Sequence, residues 1–257
     1  MRLAPTLTAM LLATAALAPA AQAACSRPLH LNAEHWPPYT IIAGNQIGGL
    51  DIELVQAILK EAGCTIVFEP ALPVARRLSL FNQGKTDLMM AASSTPERRQ
   101  QAWFSQPYRF EEVGLFTLPE HAARLRQSFS FEALLAQRES VLVPRLGWYG
   151  AQYAAAEPKL RAAGLLHEFS SFSQGIKMLA AGRAHVLMGD DAAVHYQARL
   201  ENLPVVHLPF TAARAPVHLM FNKESVSQAE VASIDAAITR LERRGTLEAI
   251  RRRYGQQ

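Results

Sequence analysis

The period of apolar and polar positions switches repeatedly along the chain between two residues and about three and a half. Residues 28–33 alternate and predict a strand. Across residues 50–63 the apolar Ile52, Val55, Ile58 and Leu59 fall on one helical face, and Gly63 ends that helix. Residues 64–68 form a β-branched strand. Pro73 opens a helix that runs to about residue 83, at the end where proline is tolerated. Residues 86–91 predict a buried strand and 109–118 another. A second set follows. It has helices over 131–137, 148–156, 173–181 and 190–201, and strands over 141–144, 185–189, 205–208 and 217–222. A long helix over 227–244, a break at Gly245 and a last helix over 246–254 close the chain. Strands and helices alternating in this way predict the α/β class.

The first residues do not fit that scheme. Arg2 precedes an apolar run over 7–18, Pro19 interrupts it, and Ala21-Gln22-Ala23 supplies the small residues of a cleavage site. Residues 1–23 therefore predict a secretory signal peptide cut after Ala23, because the apolar run is shorter than the roughly 20 residues of a membrane span. The expected location is the periplasm.

Composition narrows the classes. With 49% hydrophobic and 19% charged residues, the 257-residue chain has ample material for a packed core, which excludes intrinsic disorder. A net charge of +4 is too mild to argue for a nucleic-acid partner. The run Arg251-Arg252-Arg253 reads as a solvated helix C-terminus, where cations favour the helix dipole. Two cysteines are too few for a disulfide scaffold or a four-cysteine zinc site. In an oxidising compartment Cys25 and Cys64 are expected to pair with each other. Closing a loop of about 40 residues stabilises by roughly 4 kcal/mol on the chain-entropy account. The rival for Cys25 is lipid acylation, but Gln22-Ala23-Ala24 lacks an aliphatic residue three positions upstream.

One internal echo bears on function. The stretch from Leu80 through Gly84 to Ala91 matches that from Met178 through Gly182 to Gly189. Each has a helix end, a glycine, a basic residue and a short apolar strand ending at a small residue. Ser93, Ser94 and Arg98 follow the first strand, and Asp190 and Asp191 follow the second. Ligands of open α/β sheets bind beyond the carboxyl ends of strands, so two such units predict two lobes around a cleft.

At this point the motifs, in order, resemble a known family. Trp36-Pro-Pro-Tyr39 follows the first strand and Gly48-Gly-Leu-Asp51 opens the first helix. Gly84-Lys-Thr-Asp87, Thr95-Pro-Glu-Arg98 and Phe104-Ser-Gln-Pro-Tyr108 follow, then the stretch Gly182 to Asp190, then Gly245 to Tyr254. The chain resembles the bacterial extracellular solute-binding proteins of family 3, the polar-amino-acid-binding components of ABC importers. The resemblance implies a two-lobed periplasmic-binding-protein fold (type II, the Venus flytrap) with two crossover hinge strands. It implies a first lobe over 24–111 and 213–257 and a second over 112–212. The crossovers are expected at 110–118 and near 209–213. The implied partners are a small-molecule ligand, an amino acid or similar compound, and an ABC permease of the inner membrane. The chain is expected to act as a monomer without cofactor or metal.

Carried over residue by residue, Arg98 matches the arginine that grips the ligand α-carboxylate, for which a guanidinium fork is suited. Ser93 faces the same carboxylate, and Ala91 offers only its backbone. Asp190 matches the second-lobe carboxylate for the α-ammonium, and Asp190 or Asp191 also suits the N-cap of the following helix. Trp36 stands where the family places an aromatic lid. Glu34 is placed to meet a basic side chain, although the acidic position of basic-amino-acid binders falls on Ala33. Arg76 matches an arginine of one exported subgroup. Trp148 and Tyr149 replace a small turn and would narrow the site. Two other readings use the same fold: a periplasmic sensor or adaptor for a membrane receptor, and an enzyme like the cyclohexadienyl dehydratases, with Glu34, His35 and Asp190 as acid candidates.

Overall fold

The computed structural model describes residues 25–125 and 130–256, so the expected signal peptide at 1–23 lies outside the described residues. The chain opens with β1 (Leu29–Asn32), a hairpin of β2 (Ile41–Ala43) and β3 (Gln46–Gly48), α1 (Leu50–Glu61), β4 (Ile66–Glu69), α2 (Val74–Asn82) and β5 (Leu88–Ala92). After α3 (Pro96–Gln101) and β6 (Ala102–Phe104), the long strand β7 (Arg109–Thr117) leaves this unit. The second unit holds α4 (Pro119–Leu125), α5 (Phe131–Ala136), β8 (Val141–Pro144), α6 (Ala151–Ala162), β9 (Leu166–Phe169), α7 (Phe172–Ala180), β10 (Val186–Asp190) and α8 (Asp191–Leu200). Strand β11 (Val206–Asn222) returns, and α9 (Gln228–Arg243) and α10 (Thr246–Arg253) finish the fold.

Sequence expectations hold where local chemistry is strong. α1 buries Ile52, Val55, Ile58 and Leu59, as its period requires. α9 starts at a capping box in which Ser227 and Glu230 bond each other's backbone N–H. The helix expected over 148–156 instead runs from Ala151 to Ala162 and carries Pro158 in its interior. The β2–β3 hairpin, α3, α4, β6 and β9 were not anticipated. All are short, and short elements carry too few residues to establish a period.

The largest departure is β11. Its sequence suggests two strands, 205–208 and 217–222, separated by a crossover near 209–213. The structure has one strand that pairs antiparallel with β7 from Val206↔Thr117 to Val217↔Arg109. Pro209 lacks an N–H, and the register shifts between His207 and Thr211 accommodate it. Beyond Val217 the same strand pairs with β5 and β6. β7 and β11 thus form the two crossovers of the two-lobed fold.

The buried side chains divide accordingly. One cluster joins Leu29, Leu54, Ile58 and Leu88 to Phe221, Ile234 and Ile238 from the far end of the chain. In the second unit, alternate residues of each strand go to opposite faces. Val141, Val143, Val186 and Met188 pack with Leu160, while Leu142 and Leu187 pack with Ile176 and Val194. Strands covered on both faces read as continuous apolar runs, as 141–144 and 186–189 do. The lobes touch where Ala193 joins the first cluster.

Cys25 and Cys64 form a disulfide that ties the start of the described chain to the residues after α1, across a sequence separation of 39. Both cysteines are buried. Replacing both by serine is expected to destabilise the protein by about 2–5 kcal/mol. Melting curves of the variant and parent check this, and equal stabilities would refute it.

Candidate functional site

A cavity of about 330 Å³ opens between the lobes, within the range of small-molecule sites. Its walls come from both units. The first unit supplies Glu34, Trp36, Arg77, Ala91, Ser93 and Arg98, and the second supplies Gly147, Trp148, Tyr149 and Asp190. The carboxyl ends of β5 and β10 therefore meet at one space, as their sequence echo anticipates. A second, larger cavity of about 640 Å³ shares Glu111 and Asp190 with the first and is lined by Arg199, Arg214 and Arg253.

Arg98 sits on α3, whose first turn is fixed by Pro96 and by the Thr95 hydroxyl accepting from the Arg98 N–H. Its Nη1 donates to the Ser93 carbonyl at 3.0 Å. Burial lowers its pKa from the ordinary arginine value. No carboxylate pairs with it among the described residues. Ala91 has φ +53°, and its N–H donates to the Tyr108 hydroxyl at 2.9 Å. That donor is committed, so only its carbonyl remains to a ligand.

Asp190 ends β10 and caps α8, accepting from the Ala193 N–H at 2.9 Å. Its other oxygen accepts from the Tyr39 hydroxyl at 2.9 Å, a bond from one lobe to the other. Burial pushes Asp190 up to about 6, against the pull of Arg109 and these two hydrogen bonds. Gln256 in turn donates to the Tyr39 hydroxyl at 2.8 Å.

Beneath the cavity lies a pair that the sequence does not reveal. Arg109 Nε and Nη2 donate to the two Asp51 oxygens at 2.6 and 3.0 Å, with both residues almost fully buried. The guanidinium lies 3.9 Å from the centroid of the Tyr39 ring. Burial works against the Arg109 charge, but Asp51, Tyr39 and Tyr108 together hold the pKa well above the ordinary value.

Trp36, Trp148 and Tyr149 all line the cavity. The Trp36 indole N–H is buried without a hydrogen-bond partner among the described residues. Tyr149 donates to the Leu146 carbonyl at 2.7 Å, and burial raises its pKa. Glu34 lines the cavity but forms an ion pair with Arg77. That corrects two expectations. Arg76 is exposed and absent from the cavity wall, and Arg77, one residue along α2, takes its place. Glu34 is neutralised within the protein, so its charge is not left for a ligand.

Glu111, also unanticipated, lines the cavity from β7. The signal was present in the alternation. Arg109 and Glu111 continue the strand face on which Val113 and Leu115 are buried, and charge on an apolar face is informative. Among the described residues, no group of His, Cys, Asp and Glu is placed to hold a metal ion, and no helix is long and apolar enough to cross a membrane.

Comparison with known proteins agrees with this architecture. An Escherichia coli (strain K12) protein named as an ABC transporter arginine-binding protein is 35% identical over 82 residues, or 32% of this chain and 33% of that relative's length. The match thus spans about a third of the relative. An ancestral arginine-binding protein, solved with arginine bound, superposes with a TM-score of 0.72 at 22% identity, covering 88% of this chain and 97% of that one. A histidine kinase sensor domain similar to periplasmic binding proteins gives 0.71 at 21% identity, covering 89% and 96%. At these identities the solved structures speak for the two-lobed fold alone. The family model for bacterial extracellular solute-binding proteins, family 3, matches residues 31–257. With the fold, that match places the chain among the bacterial extracellular solute-binding proteins of family 3.

Proposed function

We propose that the protein captures an amino acid, or a small polar solute of similar chemistry, in the periplasm and delivers it as a monomer to an ABC permease of the inner membrane. One observation carries this reading. The unpaired Arg98 guanidinium of one lobe and the Asp190 carboxylate of the other line the same cavity. A zwitterion bridges them, its carboxylate on Arg98 and its ammonium on Asp190. Only the closed state makes both contacts, so ligand binding favours closure. Ser93 and the Ala91 carbonyl complete the polar wall, and Trp36, Trp148 and Tyr149 supply the stacking surface. The lobes are taken as 24–111 with 213–257, and 112–212, after removal of a signal peptide at Ala23. The relatives named for arginine binding and ABC transport support this reading.

Thermal unfolding of the purified protein against the common amino acids, polyamines and small organic acids tests it. A true ligand at 100 times its Kd stabilises by about 2.7 kcal/mol, a rise in Tm of roughly 5–11 °C for a chain of this size. If no amino acid or related solute raises Tm, the reading fails.

A further inference from the structure

Asp190 is held from both lobes. Its Oδ1 accepts from the Ala193 N–H of its own helix, and its Oδ2 accepts from the Tyr39 hydroxyl of the first lobe. The Tyr39 oxygen also accepts from the Gln256 side-chain amide at 2.8 Å. A phenol has one proton to donate. With Gln256 donating to its oxygen, Tyr39 turns that proton to Asp190. The three residues form a relay from the C-terminal end of the chain, through the first lobe, to the carboxylate of the second. Tyr39 lines the larger cavity and not the smaller one that holds Arg98, so it reaches the smaller cavity only through Asp190. We propose that Tyr39 is a positioning residue for ligand capture, whose hydroxyl fixes the Asp190 carboxylate in its ionised form for the α-ammonium of an amino acid. This rests on the amino-acid reading above and names the group by which one lobe prepares the other lobe's half of the site.

The packing around Tyr39 suits that role. The residue is fully buried, and its ring lies between the Arg109 guanidinium and the Trp36 ring, whose centroid is 4.7 Å away. Arg109 is itself fixed by Asp51, and the Asp51 N–H donates to the Tyr39 carbonyl at 2.9 Å. The hydroxyl is therefore aimed by a rigid frame. Burial, and then the Asp190 charge, raise the Tyr39 pKa well above its ordinary value, so the phenol keeps its proton and remains a donor. A donor to the ionised form of a carboxyl favours that form. Burial pushes Asp190 up, while Arg109, the Ala193 N–H and the Tyr39 hydroxyl pull it down. Other charged and titratable groups surround it. Glu111 and Glu112 lie on β7, and Asp191, His195 and Arg199 on α8. Arg214 of β11 and Arg253 of α10 share the larger cavity with it, and Tyr149 shares the smaller. Among the described residues none of these groups bonds to Asp190, so Tyr39 is its one direct side-chain partner. An ammonium needs the ionised carboxylate, so affinity falls as pH drops through the Asp190 pKa. Removing the Tyr39 hydroxyl, with every other group left in place, raises that pKa and moves the fall to higher pH.

The test screens the parent against the common L-amino acids by calorimetric titration. The tightest of them is then titrated into the parent and Tyr39→Phe across a pH range that brackets the Asp190 value of about 6. The phenyl ring keeps its place against Arg109 and Trp36, and melting curves check that the variant is folded. At neutral pH Tyr39→Phe should bind roughly tenfold or more weakly, and its affinity should begin to fall at a higher pH than the parent's. In an Asp190→Asn background the Tyr39 change should move no such limb, since no carboxyl remains to titrate. A variant that binds as tightly as the parent, or one weakened equally at every pH, would overturn the proposal and leave the amino-acid reading intact. Binding of no amino acid by the parent would overturn both. If Tyr39→Phe does not fold, Gln256→Ala at the half-buried outer end of the relay takes its place, with a smaller displacement of the limb in the same direction expected and a coincident limb overturning the proposal. The protein alone gives an independent readout. Carbon-13 NMR of the aspartate carboxyls, with the Asp190 signal identified by its loss in Asp190→Asn, should show Asp190 titrating at higher pH in Tyr39→Phe. Identical titration in the two proteins would also overturn the proposal.

Discussion

Arg98→Ala is expected to weaken amino-acid binding by roughly 30- to several-thousand-fold while leaving the fold intact. Truncating one partner of a buried, hydrogen-bonded charge pair costs about 2–5 kcal/mol, much of it from the charge left unpaired. Here the ligand carboxylate would enter a cleft whose carboxylates without an ion pair among the described residues, Asp190 and Glu111, repel it. No other unpaired guanidinium replaces Arg98 there, because Arg77 is committed to Glu34 and Arg145 leans on Glu168. The structural role of Arg98 is small by comparison. It makes one side-chain hydrogen bond, to the Ser93 carbonyl, worth about 0.5–1.5 kcal/mol. Asp190→Asn should cost less affinity than Arg98→Ala, since the amide oxygen still accepts from an ammonium. Calorimetric titration with matched melting curves checks both. A folded Arg98→Ala protein that binds as tightly as the parent would exclude an α-carboxylate at this position.

The second large effect concerns stability. Asp51→Asn is expected to destabilise the protein by about 3–5 kcal/mol, because it leaves the Arg109 guanidinium buried without its counter-charge. Arg109 and Asp51 are 2% and 1% exposed, so water cannot compensate. For a chain of this size the expected fall in Tm is roughly 6–20 °C. The cost belongs to the orphaned charge more than to the pair. Replacing both residues by apolar ones of similar size, Asp51→Leu with Arg109→Met, should therefore recover most of the loss. Chemical denaturation of the two variants separates these terms. A single variant as stable as the parent would show that Arg109 finds another partner, such as the Tyr39 ring that already lies over it.

Asp51 and Arg109 also illustrate where sequence reading stops. Asp51 was visible only as part of a glycine-rich helix opening, and Arg109 only as the first residue of a strand. They are 58 positions apart, and nothing local links them. The helix–glycine–strand repeat marks Arg98 and Asp190 only as polar residues after two similar strands, and their expected ligand roles come from the family resemblance. Glu34 was also noted, but its neutralisation by Arg77 depends on how α2 packs beside the end of β1. Arg77 lines the wall and Arg76, one residue before it, faces solvent. On a short helix that is a turn of about 100°, enough to move a side chain from cavity to solvent.

The sequence by itself determined the α/β alternation, the amphipathic α1 and α9, the cysteine pairing and the two strand ends that meet at the cleft. Each rests on a short-range pattern: periodicity, a cap, a glycine, or two cysteines with no other partner. The continuity of β11 through Pro209 and Pro216 was decided in three dimensions, since only pairing with β7 keeps that polar, proline-interrupted stretch extended. So was the charge count of the cavity. Which carboxylates are neutralised depends on guanidinium groups arriving from distant segments, and burial then makes the unpaired remainder costly. The alternation along β7 separates the face of Glu111 from that of Glu112, but that the Glu111 face opens on the cavity was decided by the packing of the lobes.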